Sequence, residues 1–136
     1  MVNQEFVELT QGGDAKGIDC MTYGSMGAGI LSGAVRSTPN FDPDDIRMTF
    51  YDYYKEPKFS KIMELLKGID KVAEAHNVPV SQVAINWSTQ KEFVGTALVG
   101  VSKVAQAVEN CAAFDWTLTY EEMQLLDSEL ERLSIS

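Results

Sequence analysis

At 136 residues the chain is long enough for one domain with a hydrophobic core and too short for two comfortable ones. Hydrophobic residues make up 45% of the sequence and charged residues 23%, the balance of an ordinary soluble globular protein. The formal net charge of −9 argues against a nucleic-acid surface, because phosphate binding needs clustered Lys and Arg.

Cysteine use and the lack of long apolar runs bear on where the protein resides. Cys20 and Cys111 have no metal-ligand spacing around them; they leave a disulfide open but fit a reducing cytosol better. The first residues lack the basic and apolar regions of a signal peptide, and the apolar runs are too short to span a membrane. These features predict a cytoplasmic protein with no metal site, no membrane contact and no nucleic-acid partner.

The chain opens with a polar stretch, residues 1–16, that contains a turn signal at Gly12-Gly13-Asp14. Residues 18–23 then predict a short strand bounded by glycines. The strand leads into residues 24–33, where four glycines let the backbone approach another group closely. This segment is therefore predicted to be a loop that contacts something.

Residues 36–57 are predicted to be irregular, because prolines interrupt them. The segment is rich in aromatic side chains, namely Phe41, Phe50, Tyr51, Tyr53 and Tyr54. A long loop of this kind is typical of a lid or a surface wrap. An aromatic-anchored connector without a function is an equal alternative.

Helical spacing of apolar residues predicts one helix over residues 59–76, ended by Asn77, and a second over residues 81–90. Residues 96–101 form an apolar run that predicts a second, buried strand. A third helix is expected over residues 103–113. The helices between the two strands favour parallel pairing, since a parallel connection needs a long crossover.

The last helix has the clearest start signal in the chain. Thr119 is placed to accept the backbone N–H of Glu122 while the Glu122 carboxylate reaches back, which is the capping-box arrangement. An apolar stripe follows at helical spacing. The complete order is thus strand, loop, helix, helix, strand, helix, helix. A parallel sheet this small leaves both edges unpaired, which predicts that something is missing and that the chain self-associates through exposed strand edges.

The usual catalytic patterns are absent from the sequence. His76, the single histidine, lies at a helix end where it can interact with the helix dipole, and no partner for it is apparent. No Ser-His-Asp set, paired metal ligands or phosphate-binding P-loop can be drawn. Asp42, Asp44 and Asp45 are interpreted as solvated turn formers. The sequence therefore predicts no catalytic residue.

Two loops follow strands, at the end of a parallel sheet where ligand sites form. Residues 24–33 offer free backbone N–H groups, which suit a pyrophosphate. The loop Gly100-Val101-Ser102-Lys103 opens a helix and adds a hydroxyl and an ammonium, which suit a phosphate. Each signal is weak alone, because glycine-rich strand-to-helix loops are common packing devices. Their joint occurrence is more informative.

Four motifs, in the expected order, resemble the C-terminal part of aldo-keto reductases. They are residues 17–33, the helix PVSQVAINW at residues 79–87, the segment Val99-Gly100-Val101-Ser102-Lys103 with Glu109-Asn110, and FDWTLTYEE at residues 114–122. The resemblance covers residues 17–133. It implies an α/β fold, the C-terminal portion of a (β/α)8 TIM barrel with strands seven and eight alternating with their helices. The barrel is expected to be incomplete, since a whole one needs roughly 250 residues.

The resemblance also implies a cofactor, NADP, and the reduction of aldehydes or ketones by hydride transfer. Tyr23 takes the position that stacks on the nicotinamide ring. The pyrophosphate is lined, mostly through backbone groups, by Gly24, Ser25, Met26, Gly27, Gly29 and Leu31. The turn at Gly100 brings Ser102, Lys103 and Gln106 to the adenosine 2′-phosphate, and Glu109 and Asn110 to the adenine. The family often has Arg in place of Ser102, so the resemblance leaves NADP against NAD open.

Residues 1–16 have two interpretations. Asn3-Gln4, followed by Glu5, resembles the family's sixth strand, whose Gln contacts the nicotinamide carboxamide. The distance from Gln4 to Gly17 is nevertheless too short for the family's intervening helix. The stretch is therefore either a remnant of strand six with a truncated helix or an unrelated leader.

The family's catalytic Asp, Tyr, Lys and His come from its first four strands, and no residue of this sequence matches them. The chain is therefore expected to be inactive by itself and to act on a small carbonyl substrate only with the missing part of the barrel. Two alternatives are a non-catalytic nucleotide-binding or interaction module and a truncated gene product without a selected function.

Overall fold

The structure, a computed structural model, describes residues 20–42 and 44–135. Its elements are β1 (Cys20–Tyr23), a 3-10 turn (Gly27–Ser32), α1 (Arg47–Phe50), a second 3-10 turn (Asp52–Tyr54), α2 (Lys58–His76), α3 (Val80–Thr89), β2 (Val94–Leu98), α4 (Val104–Cys111), a third 3-10 turn (Ala112–Asp115) and α5 (Tyr120–Leu133). The predicted order of strands and long helices is confirmed. The predictions for residues 1–16, including Gln4, and for the first residues of the strand lie outside the described residues.

The two strands pair in parallel, as predicted, with Tyr23 opposite Leu98. The expectation of a buried strand over residues 96–101 was wrong: the strand is Val94–Leu98, and its side chains are only partly buried or exposed. The reason is that, within the described ranges, α3 is the helix that packs on β2, and the side chains on the other face of the sheet stay exposed. On that open face Met21 is 62%, Tyr23 84% and Leu98 46% exposed. An apolar run in the sequence indicates that a strand tends to be buried. Whether it is buried depends on other elements that pack over it.

The hydrophobic core lies where α2 packs against α3 and α5. Leu66 and Ile69 of α2, Val83 of α3 and Leu126 of α5 are each 0% exposed. Asn77 ends α2 with a left-handed φ of 53°, a conformation that Asn tolerates better than most residues. The fold is thus an α/β arrangement in which the helices, rather than the sheet, form most of the core.

The segment predicted to be irregular, residues 36–57, contains α1 and a 3-10 turn. Tyr54 of this segment is buried, 2% exposed, and its hydroxyl donates a 2.9 Å hydrogen bond to the Ala28 carbonyl. The Phe41 ring packs edge-on against Tyr54 with centroids 5.0 Å apart. These contacts fasten the aromatic segment to the loop after β1.

Among the described ranges, no group of three or more His, Cys, Asp or Glu could hold a metal ion. In the same part of the chain no helix has the length and apolar character needed to cross a membrane. Cys20 and Cys111 are both free thiols.

The capping box predicted at the start of α5 is confirmed. The Glu122 N–H donates to Thr119 Oγ1 at 3.2 Å, and the Thr119 N–H donates to Glu122 Oε2 at 2.8 Å. The partner of His76, which was not apparent from the sequence, is Glu122, whose Oε1 lies 2.9 Å from the His76 Nε2. Its ring also packs on Trp116 with centroids 4.5 Å apart. His76 is therefore a structural residue that joins the end of α2 to the start of α5.

Glu122 is expected to make the stability of the fold depend on pH. Partial burial disfavours its charged form, but hydrogen bonds from Thr119 and the contact with His76 outweigh this and lower the pKa of Glu122 below its usual 4.5. Because the folded-state pKa is depressed, this stabilisation is present above the unfolded value and is lost as pH falls through the folded one. Glu122→Gln should therefore lower the free energy of unfolding. The difference in this free energy between the variant and the wild type should become smaller in acid.

Urea unfolding of both proteins at about pH 5.5 and about pH 3 measures this effect. A difference in free energy of unfolding that is the same at both pH values would contradict the prediction.

Candidate functional site

A cavity of about 530 Å³ lies at the carboxyl ends of β1 and β2. Its volume is within the roughly 300–1,000 Å³ of small-molecule sites. Ten of the thirteen residues predicted as a binding site line it: Tyr23, Gly24, Ser25, Met26, Gly27, Gly29, Gly100, Gln106, Glu109 and Asn110. The structure therefore brings the two strand-end loops and α4 together around one space.

The other three predicted residues do not line this cavity. Leu31 packs against the hydrophobic core and faces a second cavity. Ser102 and Lys103 are exposed at the start of α4. They are linked to the cavity through Gln106, whose Oε1 accepts the N–H of Ser102 at 2.9 Å and that of Lys103 at 3.0 Å.

The loop after β1 needs glycine for its shape. Gly24 has a φ of 72° and Gly29 a φ of 91°, both in the left-handed region that side chains disfavour. The turn is closed by the Gly27 N–H, which donates to the Gly24 carbonyl at 2.7 Å. The hydroxyls of Thr22 and Ser25 lie 3.0 Å apart and connect the strand end to the loop. A Cβ at Gly24 would meet no atom within 4 Å, so open space adjoins this backbone.

The aromatic segment contributes Tyr51 and Tyr53 to the cavity wall. Their rings are nearly parallel, 13° apart, with centroids separated by 6.0 Å. A hydrogen bond with the Tyr23 hydroxyl raises the pKa of Tyr51. The sequence marked this segment as aromatic and offered a lid as one interpretation, but it contained no signal that identified these two side chains.

Ser81 is a further lining residue that the sequence identified only as a helix start. Its hydroxyl donates a 2.7 Å hydrogen bond to Glu109 Oε1, from α3 to α4. The next residue, Gln82, donates to the Glu109 carbonyl at 2.9 Å and accepts the Trp116 indole N–H at 3.0 Å. Because Gln82 is buried and paired at both ends of its amide, it fixes the end of α4 against α3.

Comparison with known proteins assigns the chain to a family. The model of the aldo/keto reductase family matches residues 1–131, including the opening stretch to which the sequence gave two interpretations. An aldo-keto reductase of Strobilurus tenacellus is 30% identical over 109 residues, 79% of this chain and 32% of that protein. A Schizosaccharomyces pombe protein named as an NADP(+) aldo-keto reductase is 31% identical over 96 residues, 71% of this chain and 28% of its own length.

Among solved structures, a glycerol dehydrogenase from Gluconobacter oxydans aligns with a TM-score of 0.75 and 28% identity. The alignment covers 87% of this chain and 36% of that one. The chain thus spans about a third of the length of these relatives. Its two parallel strands and their helices correspond to part of the barrel of such an enzyme. With a family match over residues 1–131 of 136, the chain belongs to the aldo/keto reductase family.

Proposed function

We propose that the chain binds NADP as the cofactor-binding part of an aldo-keto reductase. The observation that carries this proposal is that both strand-end loops line one and the same cavity. When bound in its reduced form, the nicotinamide would supply the hydride for reduction of an aldehyde or ketone to an alcohol. The NADP(+) in the name of the Schizosaccharomyces pombe relative supports the phosphate-bearing form of the cofactor.

The loop after β1 fits the pyrophosphate and nicotinamide end of the cofactor. The left-handed glycines and the open space beside Gly24 leave room for phosphate oxygens to approach backbone N–H groups. The Tyr23 side chain is 84% exposed and borders the same cavity. Its ring offers a flat apolar face on which a nicotinamide ring stacks in this proposal.

The start of α4 fits the adenosine end. The N–H groups of Ser102 and Lys103 stand at a helix N-terminus, which favours an anion, and the Lys103 ammonium adds a positive charge. In this proposal the 2′-phosphate replaces the Gln106 oxygen that these N–H groups now contact. Glu109 and Asn110, one turn further along, then face the adenine.

We further propose that carbonyl reduction needs βα units besides those of this sequence. Reduction of a carbonyl requires a proton donor as well as a hydride. None of the titratable residues on the cavity wall, Tyr23, Tyr51, Tyr53 and Glu109, lies in a motif that matches the family's catalytic Asp, Tyr, Lys or His. The exposed Met21 and Leu98 on the open face of the sheet support a site that further units complete.

Titration of NADPH into the purified chain, followed by cofactor fluorescence, tests the proposal. NADH is the matched control, because it lacks only the 2′-phosphate. We expect saturable binding that is tighter for NADPH, and no turnover of a simple aldehyde by the chain alone. Absence of saturable NADPH binding would contradict the proposed nucleotide site. Aldehyde reduction by this chain alone would contradict the proposed need for further units.

A further inference from the structure

Ser81 combines burial with a place on the cavity wall. It is 5% exposed, near the start of α3, and lines the cavity. A buried hydroxyl needs a partner, and that of Ser81 donates to Glu109 Oε1 at 2.7 Å. The partner is an exposed carboxylate on another helix, so the bond also orients a group outside the core.

The two consecutive residues Ser81 and Gln82 hold Glu109 at two points. Ser81 holds the side-chain carboxylate, and Gln82 holds the main-chain carbonyl at 2.9 Å. A Glu side chain on a helix surface ordinarily samples many rotamers, and holding one costs conformational entropy. Since Ser81 is itself fixed by packing, the Glu109 carboxylate is held in one orientation before any ligand arrives.

We propose that Ser81 is a positioning residue that sets the base preference of the nucleotide site by orienting Glu109. The inference rests on the proposed NADP site, in which Glu109 faces the base. An ionised carboxylate accepts hydrogen bonds and donates none. It therefore pairs with the 6-amino group of adenine, which donates, and is repelled by the 6-oxo group of hypoxanthine, which only accepts. The oriented site selects 6-aminopurine nucleotides.

The measurement is the ratio of dissociation constants for NADPH and its hypoxanthine analogue, in which an oxo group replaces the 6-amino group of the base and N1 carries a hydrogen. We expect the wild type to prefer NADPH by about tenfold or more, the value of one hydrogen bond to a charged group. Ser81→Ala should reduce the preference to a few-fold, and Ser81→Thr, which keeps the hydroxyl, should retain it. Ser128→Ala is the control, since that serine is exposed on α5 and bonds only within its helix.

A merely structural role of Ser81 would weaken both nucleotides equally and leave the ratio unchanged, which would overturn the inference. A double-mutant cycle adds a second measurement: in a Glu109→Ala background, Ser81→Ala should not change the ratio further. A further change in that background would show that Ser81 does not act through Glu109. If the wild type binds neither nucleotide, the proposed NADP site fails as well. NADPH binding with no preference over the analogue would overturn the Ser81 inference alone.

Discussion

Leu126→Ala is expected to lower the free energy of unfolding by about 2–5 kcal/mol, whereas Leu125→Ala should cost about 0.5 kcal/mol or less. The two leucines are neighbours on α5, but Leu126 is 0% exposed and Leu125 is 46% exposed. Truncation of Leu126 leaves a cavity in the cluster that joins α2, α3 and α5, and its lining atoms lose their packing partners. Small domains have only about 5–15 kcal/mol of stability in total, so this loss is large.

Urea unfolding followed by circular dichroism measures both variants against the wild type. Both substitutions replace leucine by alanine at adjacent positions of the same helix. Effects of helix propensity and of the unfolded state therefore largely cancel in the comparison. Similar losses in free energy of unfolding for the two substitutions would contradict the placement of the core between these helices.

Gly100→Leu is expected to weaken NADPH binding at least about tenfold while leaving the stability nearly unchanged. A Cβ at Gly100 meets no atom within 4 Å, and Gly100 is not among the glycines with positive φ, so the fold accepts a side chain there. Gly100 nevertheless lines the cavity between the two loops. A leucine side chain therefore occupies space that the proposed ligand needs.

The matched control is Gly68→Leu on α2, where a Cβ also meets nothing within 4 Å but which does not line the cavity. Thermal unfolding and a fluorescence titration with NADPH separate the effects on folding and binding. Unchanged affinity in Gly100→Leu, or an equal loss in Gly68→Leu, would count against the assignment of this cavity to the nucleotide.

Features encoded locally were predictable from the sequence. Spacing of apolar residues located α2 within one residue of its observed start, because amphipathic periodicity reports directly on which face a helix buries. The capping box of Thr119 and Glu122 depends on residues three apart, and it forms as expected. Both loops of the cavity were also identified, because they follow strands whose carboxyl ends meet at one edge of a parallel sheet.

Features that depend on distant residues were not predictable. Ser81 and Glu109 are 28 residues apart and His76 and Glu122 are 46 apart, and no pattern within one helix indicates that either pair meets. The exposure of β2 depends on which layers cover the sheet rather than on its own apolar residues. Gln106 was expected as a phosphate contact, and its side chain in the structure accepts the N–H groups that start α4.

We propose above all that the two strand-end loops bind one nicotinamide nucleotide between them. Two-dimensional NMR of the uniformly ¹⁵N-labelled chain, recorded during titration with NADPH, tests it at the level of single backbone amides. We expect the amide signals of residues 24–29 and 100–103 to shift together and to saturate at the same NADPH concentration, while those in the middle of α2 stay in place. Shifts confined to one of the two loops, or no shifts in either, would contradict it.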